Sequence, residues 1–344
     1  RSLAQCKIDV VQNLKISTLY RIFSLPTSLT AQPAQRDPAT LRDELPSRIN
    51  SMRITEVPRT LVMGEAAFLF LITKYLARQT MIPFNEVLTA AGLALLIYVA
   101  LIWLLSLPLK NSSIVDIFWG PGFMLANGVA MLRLASFHPR AWLVTTLVCV
   151  WALRLALYIF RRNHGKGEDF RYRAWREANP KNWWWFSFFK VFLLQGVMMW
   201  LIALPLLAAQ FNTAPSQLVG LDYLGAALWA IGFFFEALGD AQMFRFKKNP
   251  ANRGKLMNTG LWRYTRHPNY FGEAVQWWGF YCFAAATGAY WTVLSPILIT
   301  ALLLKVSGVA MLEQTLQSTK PGYREYQQNT NAFLPWPPRK RVVV

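Results

Sequence analysis

The stretch Gly260–Tyr281, GLWRYTRHPNYFGEAVQWWGFY, begins as a basic loop and ends as an apolar run. Pro268 suits the first turn of a helix, where its missing N–H would have no partner anyway. From there Asn269, Glu273 and Gln276 fall at i, i+4 and i+7 and share one helix face, with Phe280 following and aromatic and aliphatic residues opposite. An amide, a carboxylate and a second amide stacked on one helix are costly in lipid. The stretch therefore predicts a membrane helix whose polar face lines a binding site.

The rest of the chain agrees with a bilayer setting. Of 344 residues, 54% are hydrophobic and 15% aromatic, only 15% are charged, and the formal net charge is +19. This excludes a disordered chain and falls short of the charge of about a quarter of residues usual in soluble proteins. Apolar runs long enough for about 30 Å of hydrocarbon occur at roughly 87–109, 114–135, 141–160, 186–210, 218–240, 269–288 and 290–312. The fold class expected is all-α, a polytopic bundle of about seven transmembrane helices around a cytoplasm-facing cavity. The basic residues lie between apolar runs and match no zinc-finger, helix-turn-helix or RNA-binding pattern, so the bilayer is the expected partner and nucleic acid is not. No obligate protein partner is indicated. Cys6, Cys149 and Cys282 are widely separated and form neither a disulfide framework nor a metal site.

Lysine and arginine concentrate in loops 161–190 and 245–268 and in the tail from Lys320, whereas loops near 211–217 and 287–290 have none. By the positive-inside rule the basic loops and the C-terminus share the cytoplasmic side, of a bacterial inner membrane or one like the endoplasmic reticulum. The run NWWWF from Asn182 reads as an interfacial aromatic belt. Residues 1–80 are mixed and dotted with proline, and are expected to be a poorly ordered extension; residues 81–344 form the transmembrane domain.

Other polar stripes repeat the pattern of the opening stretch. Glu236, Asp240, Phe244 and Lys247 share a face; so do Lys305 and Glu313, and Asp116 aligns with Asn127 through Gly120 and Phe123. Arg154 and Tyr158 are an i, i+4 pair. A lone polar residue in a span is often only an interhelical hydrogen bond, but stripes on three successive C-terminal spans imply a polar cavity. The arginine-rich loops on either side suit phosphates or carboxylates, or anionic lipid headgroups.

Four segments, SIVDIFWGPGF from Ser113, RRNHGKGEDFRYRAWR from Arg161, GLWRYTRHPNYFGE from Gly260 and KPGYREYQQNTNAFLPWPP from Lys320, resemble in order an uncharacterised membrane family similar to the steroid 5-alpha-reductase C-terminal domain superfamily. The resemblance covers about 85 to 338. It implies seven or more spans around a cavity for NADPH and reduction of an activated carbon–carbon double bond in an apolar, lipid-soluble small molecule. Carried over, it implies that Asn269, Glu273, Asp240, Lys247 and Glu236 contact the cofactor, with Arg171, Tyr172 and Arg173 in the phosphate-contacting loop. Arg266, His267, Tyr270 and Lys305 join the expected cofactor-binding set, and Asp116, Tyr158 and Glu313 are the candidate catalytic donors. The last span, KVSGVAMLEQTL, lacks the histidine of the steroid reductases, which argues against a steroid substrate. The same motifs are similar to the isoprenylcysteine carboxyl methyltransferases, with Arg266, His267, Pro268 and Tyr270 followed by Glu313, Tyr323 and Tyr326; S-adenosylmethionine is then the alternative cofactor.

No Gly-x-Gly-x-x-Gly follows a strand-like segment, so a dinucleotide would lie among helices rather than on a Rossmann domain. The two long basic loops favour NADPH over S-adenosylmethionine, which has no phosphate. A non-enzymatic transporter or scaffold would need polar residues along a path to both faces, and here the stripes thin out from Phe280 to Ala286.

Overall fold

In a computed structural model, which describes residues 83–133, 138–306 and 309–339, all regular structure is helical and no strand occurs among the described residues. The expectation for residues 1–80 lies outside the described residues. The helices are α1 (Phe84–Leu109), α2 (Trp119–Leu132), α3 (Pro139–Asn163), α4 (Phe170–Ala178), α5 (Trp183–Ile202), α6 (Leu204–Phe211), α7 (Gly220–Lys248), α8 (Pro268–Ala285), α9 (Tyr290–Lys305), α10 (Val309–Thr319) and α11 (Tyr323–Asn329).

Four of these, α1, α3, α5 and α7, with 26, 25, 20 and 29 residues, are long and apolar enough to cross a membrane. The other expected spans take different forms. Residues 114–135 divide into a 3-10 turn, Ser112–Asp116, and the 14-residue α2, about 21 Å long against about 30 Å of hydrocarbon. This break separates Asp116 from Asn127, so the stripe expected to join them does not form. The run at 186–210 divides at Ala203, next to Pro205, whose ring cannot continue the hydrogen-bond ladder. The 18-residue α8 is enclosed by its neighbours, with Gln276, Trp277, Phe280 and Phe283 all buried.

Contact between α7 and α8 is the most intimate in the bundle, and glycine spacing explains it. Gly225, Gly232 and Gly239 recur every seven residues on α7 and meet Gly279, Gly272 and Pro268 of α8. A Cβ at Gly232 would stand 2.5 Å from the Gly272 carbonyl oxygen, and one at Gly272 would stand 2.4 Å from the Glu236 nitrogen. With no side chains between them the backbones touch, as small residues allow in membrane helix pairs. The polar stripes of the two helices are thereby pressed together.

At the end of the bundle away from the basic loops, Arg140 and Asp222 form a fully buried bidentate pair at 2.6 and 2.8 Å. Asp222 also accepts from Val219 N at 2.8 Å, ordering the start of α7. Nearby, Gln210 donates to Asn127 and Thr145, so Asn127 serves the interhelical bonding that a lone amide in a span suggests.

Candidate functional site

The ends of α3, α7, α10 and α11, the start of α8 and loop 249–257 enclose a cavity of about 890 Å³. Its depth follows from helix register. Tyr158 sits one turn before Arg162 on α3, and Asp240 two turns before Lys247 on α7, so Tyr158, Asp240, Asn269 and Tyr270 form the inner end. Arg162, Lys247, Lys248, Arg253, Lys255 and Lys320 ring the mouth. Eight lysines and arginines line the cavity against two aspartates. Only Arg171 and Arg266 of the eight have carboxylate partners among the described residues. Six cations converging without an ion-pair partner among the described residues, with only Asp169 and Asp240 in the lining to offset them, repel one another, and a polyanion would relieve that repulsion.

Behind the inner end lies a closed polar network. Arg154 pairs with Glu236 and, at 2.6 Å, with Asp240. Glu236 accepts from Trp151 Nε1 at 3.1 Å and from Gln276 Nε2 at 2.5 Å. Asn269 Nδ2 donates to Asp240 Oδ1 at 3.2 Å, while its own Oδ1 is buried with no donor. Glu273, on the same α8 face as Asn269 and Gln276, makes no hydrogen bond or ion pair among the described residues and lies in the field of Glu236, Arg154 and Asp240. Two carboxylates thus share one guanidinium with a third nearby, and among the described residues the Asn269 and Gln276 side-chain oxygens and Arg154 Nε have no hydrogen-bond partner.

Of the cofactor-binding residues expected from sequence, Arg171, Asp240, Lys247, Arg266, His267, Asn269 and Tyr270 line the cavity. Glu236 is in the network behind it, and Glu273 lies one turn beyond Asn269. Tyr172 is buried against Asp116, to which its hydroxyl donates at 2.6 Å, and Arg173 is exposed and donates to the Glu168 carbonyl at 3.1 Å. Lys305 is exposed on α9 within a widened turn, Leu302–Val306, which breaks the register that placed it with Glu313. Phe244 is exposed rather than facing the cavity with Asp240 and Lys247.

The three candidate donors lie apart. Tyr158 lines the cavity, with the Arg162 guanidinium 5.8 Å from its ring centroid. Asp116 is outside the lining and holds Tyr172 and, at 3.3 Å, Arg171. Glu313 binds Arg266 at 2.7 Å and Gln327 at 2.9 Å and faces His267 at 3.3 Å. Burial opposes charge on Glu313, but the hydrogen bonds from His267, Arg266 and Gln327 outweigh it and hold the carboxyl down at about 2. Asp169 is likewise held low: burial works against it, and the Arg171 side chain and backbone N–H prevail. Arg162, Lys248 and Arg253 come from the two basic loops that the sequence places around the cavity, whereas Lys255 and Lys320 are not among the residues singled out on sequence. The density of lysine and arginine in loop 245–268 and in the tail from Lys320 was the signal for these two.

Fold and site together define a helical membrane protein with a basic-mouthed cavity at one end of its bundle. The chain belongs to the family described as "Protein of unknown function (DUF1295)", which matches residues 102–330 and so includes every residue lining the cavity. It is 27% identical over 266 residues to "Uncharacterized protein C594.04c" of Schizosaccharomyces pombe, over 68% of this chain and 75% of that one. No solved structure matches.

Proposed function

We propose that the protein is a multi-pass membrane reductase, of the steroid 5-alpha-reductase-like kind, that uses NADPH to reduce an activated carbon–carbon double bond in a lipid-soluble substrate. The observation that carries this reading is the cavity of about 890 Å³ whose mouth presents six lysines and arginines without carboxylate partners among the described residues. That volume is in the upper part of the range for small-molecule sites, and the charge suits a cofactor with three phosphate groups. S-adenosylmethionine has no phosphate and carries a sulfonium, which such a mouth repels.

In this reading Arg162, Lys247, Lys248, Arg253, Lys255 and Lys320 hold the phosphates. Asn269, whose buried Oδ1 lacks a donor, and Asp240 orient the polar head at the inner end. When bound, NADPH would supply a hydride to the electron-poor carbon of the substrate. The Tyr158 hydroxyl is the one candidate donor in the cavity lining and holds the proton for the substrate's other reacting atom at its Oη. Seven spans, with the mouth on the cytoplasmic side, go with this proposal because the unpaired cations and the tail from Lys320 share one end.

The carboxylate-rich inner end gives a second reading some support. Asp240, with Glu236 and Glu273 behind it, would attract a sulfonium, as in a methyltransferase of the isoprenylcysteine carboxyl type.

The test is transfer of label. Detergent-purified protein is incubated with NADPH deuterated at the nicotinamide C4 and a panel of lipid-soluble enones, and the lipid fraction is analysed by mass spectrometry. Deuterium in a saturated lipid product, lost in Tyr158→Phe, is expected. Methyl transfer from S-adenosylmethionine with no deuterium transfer would overturn the reading in favour of the second.

A further inference from the structure

Arg266 lines the cavity, yet its guanidinium is engaged almost completely by the protein. Of its five N–H groups, Nε donates to Glu313 Oε1 at 2.8 Å and Nη2 meets the same oxygen at 2.7 Å. Nη1 donates to the carbonyls of Gln327, at 3.0 Å, and Thr330. At most one N–H is left, on a residue 8% exposed. Glu313 is held on its other side by Gln327 Nε2 at 2.9 Å.

The same short segment is joined to the C-terminal tail along its backbone. Arg266 N donates to Asn331 O at 2.9 Å, Trp336 N to Tyr264 O at 2.9 Å, and Thr265 Oγ1 to Phe333 O at 2.9 Å. The Tyr326 hydroxyl donates to Trp262 O, and the Phe333 ring lies edge-on to Phe271 at 5.9 Å. Lys320, Tyr323 and Tyr326, which wall one side of the cavity, belong to the segment fastened in this way.

We infer that residues 320–339 are a latched wall of the ligand cavity, and that Arg266 and Glu313 are positioning residues that fasten it rather than contacts of the ligand. The identity of the ligand rests on the reductase reading above; the latch does not. Glu313 is the pin, because one carboxylate meets Arg266, His267 and Gln327 together. With the pin removed, the buried guanidinium loses its counter-charge, and the wall that presents Lys320 comes away from the mouth.

The experiment is limited trypsin digestion of full-length, detergent-purified protein with and without NADPH, cleavage sites being read by mass spectrometry. A tryptophan-fluorescence titration with NADPH is run on the same samples. Glu313→Gln removes the charge from the pin, Arg266→Lys keeps an ion pair but cannot reach both tail carbonyls, and Lys255→Ala removes a mouth cation outside the latch. Cleavage after Arg324 is expected to speed up about tenfold or more in the first two variants, with NADPH affinity falling by a similar factor. Cleavage after Arg253 and Lys255 should keep its wild-type rate in those two variants. In Lys255→Ala, affinity should fall while the tail stays protected. Tail cleavage at the wild-type rate in Arg266→Lys overturns the latch, and that variant decides the matter if Glu313→Gln does not fold. If no sample binds NADPH but the tail is freed as described, the latch stands and the reductase reading fails.

Discussion

Asn269 is the residue on which the inner end of the cavity turns. Its amide nitrogen is committed to Asp240, and its buried oxygen has no donor. Asn269→Ala should therefore raise the Kd for NADPH about tenfold, from the loss of an acceptor for a cofactor N–H or O–H and of the orientation it gives. Asn269→Asp should be worse, because it sets a second carboxylate where the amide now donates to Asp240 at 3.2 Å. A fluorescence titration of the two variants checks both, and affinities equal to wild type in both would remove Asn269 from the site. The presence of Asn269 was legible from i, i+4, i+7 spacing alone. The engagement of Arg266 was not, because its partners are 47 to 64 residues away and two of them are backbone carbonyls. Composition cannot reveal such contacts.

Glu313 carries a pH prediction. Its folded-state value of about 2 lies below the ordinary 4.5. A group depressed in the folded state contributes stability above its unfolded value and loses it as pH falls through the folded one. The tail should thus be fully latched above about pH 5 and released progressively between about 4.5 and 2, at a cost of about 2 kcal/mol once solvent screening of this partly exposed carboxylate is allowed for. Tail protection measured by hydrogen exchange across that range should be lost in wild type, whereas Glu313→Gln should be unprotected throughout.

Among the elements, α7 and α8 decide whether a site exists at all. The polar stripes of each were readable from helical periodicity, but what brings them together is the glycine repeat on the adjoining faces, which hydropathy does not register. Gly232→Ala and Gly272→Ala force a Cβ to within 2.5 Å of the facing backbone. Each should destabilise the protein by about 1–3 kcal/mol, as overpacking does, and should also weaken NADPH binding by moving Asp240 from Asn269. Gly128→Ala on α2, where a Cβ would meet nothing within 4 Å, should keep or slightly raise the melting temperature, since Ala favours a helix interior over Gly. Equal behaviour of all three in thermal melts would show that the close approach carries no weight. Span lengths fared differently. Long apolar runs gave α1 and α3 to within three residues at each end and α7 at its start, though α7 runs on from 240 to Lys248, whereas 114–135 and 186–210 were interrupted by a 3-10 turn and by Pro205, punctuation that a hydropathy window averages away.

On the scale of the molecule, part of the excess of lysine and arginine behind the formal charge of +19 converges on one mouth of the bundle. Six cations at one mouth, unpaired among the described residues, make a field whose reach depends on salt, since the screening length falls from about 30 Å at 0.01 M to about 8 Å at 0.15 M. NADPH affinity should therefore fall with ionic strength, and more steeply than that of NADH, which has one phosphate group fewer. The buried Arg140–Asp222 pair at the opposite end faces no solvent and should be indifferent to the same change.

The most direct measurement is a binding titration on the detergent-purified protein, following tryptophan quenching and energy transfer to the nicotinamide, with NADPH, NADH and S-adenosylmethionine run in parallel. Saturable binding of NADPH is expected that is tighter than that of NADH, weakens in Lys255→Ala and Asn269→Ala, and is unaffected by S-adenosylmethionine. Saturable binding of S-adenosylmethionine with none of NADPH would contradict the reductase reading.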